Sequence, residues 1–268
     1  MIMTTKANHH SRIAAIAATW GSRLPNAHIF LSDADEANLP ILPVKGTRPG
    51  RQYLWEKVVA GLRHAYKHHL HHYQWFMKTD DDAYIIVENL RFLLLRYNHS
   101  QPILIGCNFL LEGDAKREIV ELGFGAGLCG TERDEYDDVL LGDCIKAVGG
   151  WMVDSRDELG RHRFHSFSPR SHLMGAYPEW YRKYLAFPIG KGLNCCSDEA
   201  VSFHYVEPRW MLLMDYLLYR LRPFAQPPTL SLPHGAVDDA QLTDAIRKAS
   251  IQALFSSFSQ SHGAQVQF

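Results

Sequence analysis

The sequence predicts an α/β domain built around a mostly parallel β-sheet. Segments whose apolar residues recur at helical spacing alternate with short apolar runs that are typical of buried strands. Strands separated by helices favour a parallel sheet with helices packed on its faces. The chain has 268 residues, of which 46% are hydrophobic and 21% charged, a composition and length that suit one large mixed domain.

The helical spacing is clearest in two segments. Apolar residues recur at i, i+3, i+4 and i+7 in the first, as Ile13, Ile16, Ala17 and Trp20. The second has Leu54, Val58, Leu62 and Ala65 and is predicted to be an amphipathic helix. The predicted helices cover residues 11–20, 54–69, 88–96 and 210–221, with a further helix that runs to Val148 and a weak one at about 240–255. The predicted strands cover residues 28–31, 75–78, 103–106 and 201–206. Residues 169–187 are aromatic and are predicted to be loop-rich.

Charge and cysteine content exclude some classes of protein. A formal net charge of -1 and a pI near 6.9 give no basic excess, so no nucleic acid partner is expected. No apolar run reaches the roughly 18 to 20 residues that cross a bilayer. The five cysteines contain no Cys-x-x-Cys pair, which is evidence against a structural zinc site.

Three consecutive carboxylates, Asp80, Asp81 and Asp82, follow the predicted strand at 75–78. Side chains two apart on an extended backbone share a face, so Asp80 and Asp82 could grip one divalent metal ion. In parallel sheets ligands gather at the carboxyl ends of strands. The alternative is an acidic turn before the helix that begins near Glu88.

Other residues could complete such a site. His204, on a late strand, could be a further ligand for Mn²⁺, which accepts imidazole; the alternative is a packed or solvent-facing histidine. Asp137 or Asp138 could be a general base, or could cap the helix that runs to Val148. Arg51, before a helix, could cradle a phosphate or lie in a surface turn. Five histidines near the end of the second helix could bind a metal or form a solvated helix end: His64, His68, His69, His71 and His72.

Longer motifs resemble one known family. The chain is similar to the core 1 β1,3-galactosyltransferases, which are fringe-related glycosyltransferases of family 31. The resemblance covers about residues 1–224, and its motifs occur in family order. They are Thr-Trp-Gly at residues 19–21, Gly-Arg at 50–51, Trp-Phe-Met-Lys-Thr-Asp-Asp-Asp at 75–82, residues 154–165, Cys-Cys-Ser-Asp at 195–198, Ser-Phe-His-Tyr-Val at 202–206, and residues 216–223.

The resemblance implies a GT-A type, Rossmann-like nucleotide-sugar transferase fold over residues 1–225. The composition of residues 226–268 predicts a linker and a disordered or weakly helical tail. It implies transfer of galactose from UDP-galactose, with inversion and with Mn²⁺ as cofactor, to the 3-hydroxyl of GalNAc linked to Ser or Thr of a glycoprotein. It implies a type II membrane protein of the Golgi lumen, although the anchor and stem are absent from this chain, and it leaves a homodimer open.

Motif position assigns roles to individual residues. Asp80, Asp82 and His204 would hold the metal, and Asp138 would be the catalytic base. Trp180 and Tyr181 would contact the acceptor. The nucleotide sugar would be bound by Met3, Gly50, Arg51, Lys57, Asp80 and Tyr205.

The chain also departs from the family. A Gly-Gly-Ala-Gly-Tyr segment expected between residues 106–109 and 120–124 is missing, so one central segment of the fold and part of the acceptor floor would be lost. The cysteine expected after residue 21 is absent, which leaves Cys195 or Cys196 as an unpaired thiol. These departures favour an alternative, a catalytically impaired or chaperone-like binding partner. A glycoside hydrolase using Asp80 to Asp82 with Asp137 or Asp138 is a third reading.

Overall fold

The computed structural model describes residues 1–110 and 137–222. Short strands and longer helices alternate along these residues. The strands are β1 (Ile2–Met3), β2 (Phe30–Ser32), β3 (Ile41–Pro43), β4 (Thr79–Asp80), β5 (Tyr84–Ile85), β6 (Ile103–Leu104), β7 (Trp151–Met152), β8 (Phe164–His165) and β9 (Ser202–Phe203). The α-helices are α1 (Ala14–Ala18), α2 (Leu54–His68), α3 (Val87–Leu94), α4 (Asp137–Ala147), α5 (Pro169–Met174), α6 (Glu179–Tyr184) and α7 (Pro208–Tyr219).

The largest sheet has the strand order β3-β2-β1-β4, and all of its pairs are parallel. Ile2 lies opposite Phe30 on one side and Thr79 on the other. Ile2 and Phe30 lie on the two central strands and belong to the main apolar core, whereas Thr79 lies on the edge strand β4. The predicted α/β class with a mostly parallel sheet is therefore confirmed, and it is the class of a GT-A-like fold.

A second sheet has the order β5-β9-β8, in which β5 is antiparallel and β8 parallel to β9. A parallel pair, β6 with β7, forms the third. The second sheet matters for the site because β5 follows the Asp80 strand after a short turn, while β9 comes from more than 100 residues later. The antiparallel pairing of β5 with β9 brings those two regions of the sequence together.

Helix α2 agrees closely with its prediction, ending at His68 where the sequence predicted His69. It buries Trp55, Val58 and Ala65, and it packs on β1 and β2. The regular apolar spacing explains the agreement, because a continuous stripe of this kind has only one face that the core can cover. Helices α3 and α7 also lie within three residues of their predicted bounds at each end.

Several predicted elements differ from the observed ones. The strand predicted at 75–78 is found at Thr79–Asp80, because the ladder with β1 pairs Ile2 with Thr79. The first helix begins as a π-helical turn, His9–Ile13, before α1. The segment predicted to be loop-rich contains α5 and α6. Helix α5 has a visible start signal, since Pro169 is its first residue and the Ser168 hydroxyl accepts a hydrogen bond from the Ser171 N–H.

The cysteine prediction also needs correction. Cys195 is bonded to its neighbour Cys196, so neither is the leftover thiol, and Cys107 is free. The predicted tail at 226–268 and the segment thought to lack the Gly-Gly-Ala-Gly-Tyr motif, at 111–118, lie outside the described residues. Within residues 1–110 and 137–222, every helix is too short or too polar to span a bilayer.

Gly150 should be essential for docking α4, which carries the candidate base, against the β6–β7 pair. A Cβ atom at this position would lie 2.5 Å from the Pro102 carbonyl oxygen and 2.8 Å from that of Ile145. Backbone atoms cannot move aside as a side chain tip can. We expect Gly150→Ala to lower the free energy of unfolding by about 1–3 kcal/mol, measured by urea denaturation. Gly106→Ala is the control, because a Cβ there meets nothing within 4 Å; equal losses in the two variants would contradict the packing argument.

Candidate active site

The candidate site lies where the carboxyl ends of β1 and β4 meet the start of the second sheet. Asp80 is the last residue of β4, Asp81 and Asp82 form the turn, and β5 starts at Tyr84. His204 directly follows β9. The Val206 N–H donates to the Asp82 carbonyl oxygen at 2.7 Å, which ties the two segments together beyond the strand pairing.

Asp80, Asp82 and His204 converge on one point. His204 Nε2 lies 2.8 Å from Asp82 Oδ1 and 3.5 Å from Asp80 Oδ2. One ligand atom from each of the three residues lies within 4.8 Å of the other two. The structure therefore brings together the three residues that the sequence put forward as metal ligands.

Charge controls the protonation of this group. Burial alone lowers the pKa of His204, but the close contacts with the carboxylates of Asp80 and Asp82 and their negative charges outweigh burial and raise the pKa to about 9. Burial opposes ionisation of Asp80, yet His204 and Lys78 hold the pKa of Asp80 well below its usual range. Asp80 is therefore ionised, and the His204 imidazole carries a proton at neutral pH.

The oxygen atoms fit a hard divalent cation. Oδ1 of Asp80 and Oδ1 of Asp82 are shielded from solvent and make no well-formed hydrogen bond. Their close neighbours are cationic groups, Lys78 Nζ at 3.4 Å from Asp80 and the His204 ring at 2.8 Å from Asp82. Buried carboxylate oxygens without hydrogen bonds are costly unless a positive charge compensates them, and two carboxylates with one imidazole are a ligand set that Mn²⁺ accepts.

Asp81, between the two candidate ligands, has a different environment. It is buried, and its carboxylate accepts hydrogen bonds from the Thr4 hydroxyl at 2.6 Å, the Asn8 amide at 2.8 Å and the Arg12 guanidinium at 2.6 Å. Its backbone N–H donates to the Met3 carbonyl oxygen. Asp81 thus anchors the acidic turn to the end of β1 and to the helical segment that follows it.

Asp137 and Asp138, at the start of α4, have different contacts. Asp137 is buried and lies 2.6 Å from Lys78 Nζ, which in turn lies 3.4 Å from Asp80. Burial raises the pKa of Asp137, and Lys78 only partly opposes this. Asp138 is exposed, and its carboxylate accepts a hydrogen bond from the Val139 N–H. The Lys78 bridge docks the start of α4 beside the metal-ligand cluster and leaves Asp138 open to solvent.

The residues assigned to the nucleotide differ in accessibility. Lys57 is buried and donates to the Thr4 carbonyl oxygen at 2.8 Å, and Met3 is buried in β1. Gly50 has a left-handed φ of 130° before the 3₁₀ turn Arg51–Tyr53, in which Arg51 is exposed. Met3 and Lys57 are therefore buried in the wall of the site next to the acidic turn, whereas the Arg51 side chain is exposed and can contact a ligand.

Aromatic side chains extend from His204 to the residues assigned to the acceptor. The Tyr205 ring stacks on His204 with centroids 4.3 Å apart. Phe167 lies 5.6 Å from Tyr205 and 6.0 Å from Trp180. Trp180 is 49% exposed, whereas Tyr181 is fully buried and packs edge-on against Phe167. Trp180 and Tyr205 each have an exposed ring that can pack against a sugar, and the buried Tyr181 packs against Trp180.

Sequence reasoning missed several residues that build the site. Arg12, Lys78 and Phe167 were not assigned any role, and Asp81 was read only as part of the acidic run. Position carried a signal for Lys78, which immediately precedes the strand that bears Asp80. Arg12 contacts Asp81, which is 69 positions away, and Phe167 contacts Tyr205 from another segment of the chain; such contacts leave no local pattern in a single sequence.

Comparison with known proteins gives one consistent family. The fringe-like family matches residues 1–117. Glycoprotein-N-acetylgalactosamine 3-beta-galactosyltransferase 1 of Xenopus laevis is 34% identical over 251 residues, which cover 85% of this chain and 69% of the relative. Chondroitin sulfate synthase 3 is 26% identical over 179 residues in Homo sapiens and 25% over 181 residues in Mus musculus. Each of these two matches covers 56% of this chain and 20% of the synthase.

Asp81 should contribute more to stability than an exposed carboxylate with an arginine partner. Asp81→Ala leaves the Arg12 guanidinium and two further donors without their acceptor, so we expect a loss of about 2–4 kcal/mol in the free energy of unfolding. Asp198→Ala is the matched control, since Asp198 also pairs with an arginine but its side chain is 85% exposed. It should cost less than about 1 kcal/mol. Chemical denaturation compares the two, and an Asp81→Ala loss as small as the control's would show that the turn is not anchored there.

Proposed function

The chain belongs to the fringe-like glycosyltransferase family, and from this premise we propose that it transfers galactose from UDP-galactose to the 3-hydroxyl of GalNAc linked to Ser or Thr. The transfer inverts the anomeric configuration and depends on Mn²⁺. The relative from Xenopus laevis, whose name specifies a 3-beta-galactosyltransferase acting on glycoprotein N-acetylgalactosamine, supports the choice of donor sugar and acceptor.

The convergence of Asp80, Asp82 and His204 carries the proposal. Each of the two half-buried carboxylates has one solvent-shielded oxygen without a hydrogen bond, and both lie beside an imidazole at the end of a sheet, which supports a metal-dependent reaction. When bound, Mn²⁺ would supply positive charge to the diphosphate that leaves with UDP. In this arrangement Asp80 and Asp82 provide the oxygen ligands, and His204 provides a nitrogen ligand after losing its proton.

Asp138 is the proposed general base. It lies in the first turn of α4, exposed to solvent, next to the residue that the Lys78 bridge fixes to Asp80. From this position its carboxylate can take the proton of the acceptor 3-hydroxyl as the oxygen attacks the anomeric carbon from the side opposite UDP. Asp137 cannot share this role while its carboxylate is engaged by Lys78.

The remaining residues align the two substrates, which is the main way that a protein can accelerate a displacement of this kind. Arg51 and the backbone after Gly50 are proposed to contact the nucleotide, with Met3 and Lys57 supporting that wall. Trp180 and Tyr205 offer exposed aromatic faces to the apolar side of a sugar ring, and Tyr181 holds them in place. Function in the Golgi lumen on glycoprotein acceptors is the setting that the proposed reaction requires.

Loss of one ligand should abolish turnover. We expect Asp82→Asn to lower UDP release from UDP-galactose and a GalNAc-Ser peptide by at least about 100-fold, while EDTA abolishes release by the unmodified chain and excess Mn²⁺ restores it. Asp35→Asn is the control, because Asp35 is an exposed carboxylate that accepts only a local hydrogen bond from the Glu36 N–H.

Two other outcomes would overturn the proposal. UDP binding by the unmodified chain without any turnover would favour the chaperone-like binding partner. Hydrolysis of a glycoside in the absence of nucleotide, with the same dependence on Asp80 and Asp82, would favour a glycoside hydrolase.

Replacing each member of the acid pair separates the base from its neighbour. Asp138→Asn should lower kcat about 100- to 10,000-fold and leave UDP affinity unchanged, because the side chain touches no proposed nucleotide contact. Asp137→Asn removes the partner of Lys78, so it should act on KM for UDP-galactose and on Mn²⁺ affinity more than on kcat. Steady-state kinetics and UDP titrations distinguish the two, and a normal kcat in Asp138→Asn would show that the base is another residue.

A further inference from the structure

A second group of potential metal ligands lies apart from the candidate active site. His165 on β8, His172 on α5 and Cys196 each offer one ligand atom, and these three atoms lie within 4.8 Å of one another. The two imidazole rings meet edge to face with centroids 4.7 Å apart. His165 stacks on Phe203, whereas the next residue, His204, turns toward Asp82. The two groups of ligands are therefore distinct.

The ring of His165 is oriented by a hydrogen bond of the kind that metal-binding histidines make. Its Nδ1 donates to the Ser202 carbonyl oxygen at 2.9 Å, so the lone pair is on Nε2. That Nε2 atom is buried and has no hydrogen-bond partner among residues 1–110 and 137–222, and the residue as a whole is 3% exposed. Histidine ligands commonly donate their second ring N–H to a backbone carbonyl, which fixes the tautomer and the ring orientation. A lone pair shielded from water, with no donor facing it, is a feature that hydrogen bonding in this fold does not explain.

His172 completes a neutral pair. It is fully buried, and its ring nitrogens make only long contacts, with the Phe167 N–H at 3.3 Å and the Tyr177 hydroxyl at 3.2 Å. Burial lowers the pKa of His165 to about 4 and that of His172 to about 3. Both imidazoles are therefore unprotonated near neutral pH, the state in which they bind metal ions.

The third potential ligand, Cys196, is engaged in a disulfide bond. The sulfur of Cys196 is joined to that of Cys195, and Cys196 is the more accessible of the two, being half-buried while Cys195 is buried. We propose that reduction of the Cys195–Cys196 disulfide opens a zinc site formed by His165, His172 and Cys196. Imidazole and thiolate are the ligands that Zn²⁺ prefers, and three protein ligands leave a fourth position of the tetrahedron open.

Reduction of the Cys195–Cys196 disulfide requires a thiol or phosphine reductant. A dithiol gives two electrons and two protons to the S–S bond, which becomes two thiols, while the dithiol is oxidised to its own disulfide. Binding of Zn²⁺ then releases the thiol proton of Cys196 to solvent. Metal binding by the carboxylates of Asp80 and Asp82 needs no reductant. Zinc binding that requires a reductant is therefore assigned to the site with Cys196.

The experiment measures zinc retained by the protein before and after reduction. The full chain is treated with a phosphine, which reduces the disulfide and is oxidised to its oxide with oxygen from water, then exposed to Zn²⁺ alone and freed of excess metal by gel filtration. We expect about one extra zinc per chain in the reduced sample, detected by native mass spectrometry. His165→Gln and Cys196→Ser should lose this extra zinc, and Cys107→Ser, which removes the free thiol, should retain it.

A spectroscopic readout on the unmodified chain keeps the proposal testable if a variant fails to fold. Co²⁺ added to the reduced chain should give thiolate-to-metal charge-transfer absorption, and the oxidised chain should not. Equal zinc content before and after reduction, extra zinc that survives in His165→Gln, or the absence of that absorption would overturn the proposal. None of these outcomes bears on galactose transfer, so the two proposals can fail separately.

Discussion

Three adjacent carboxylates repel one another, and the candidate active site depends on the positively charged groups that compensate this repulsion. Asp80 faces Lys78 and His204, Asp81 faces Arg12, and Asp82 faces His204. Arg12 also approaches Asp82 at 3.3 Å. The turn can bury so much negative charge only because Arg12, Lys78 and the protonated His204 come to it from three separate parts of the sequence. Each contact is a charged hydrogen bond or close ion pair in surroundings where water screens little.

The same arrangement explains why the middle acid differs from its neighbours. Asp81 has its lone pairs occupied by neutral and cationic donors from the segment that follows β1, so it has little capacity left for a metal ion. Asp80 and Asp82 keep oxygens without hydrogen bonds. One acid of the run therefore fixes the turn, and the other two remain available. A carboxylate that anchors the backbone so firmly also limits how far the other two can separate.

The sequence was sufficient for the fold class, for helix α2 and for the cluster of Asp80, Asp82 and His204, and the reasons differ. Helix α2 follows from an uninterrupted apolar stripe. The cluster followed from long motifs that resemble a known family, since His204 lies more than 120 positions after Asp80 and Asp82 in the sequence. Two-residue strands such as β1 and β5 carry no alternation that could be read, and the pairing of β4 with β1 shifted the strand from 75–78 to Thr79–Asp80. The bond between Cys195 and Cys196 was missed because a partner in the family was assumed to be required.

Phe167 connects the two halves of the candidate site. Its ring touches Tyr205, which stacks on His204 of the acidic cluster, and it touches Trp180, the residue proposed to contact the acceptor. Tyr205 has a left-handed φ of 52°, a conformation that a bulky residue rarely adopts without support from its surroundings. The support here is a ring on each side, His204 and Phe167. Phe167 therefore packs against both exposed aromatic residues of the candidate site, Tyr205 beside His204 and Trp180 farther from it.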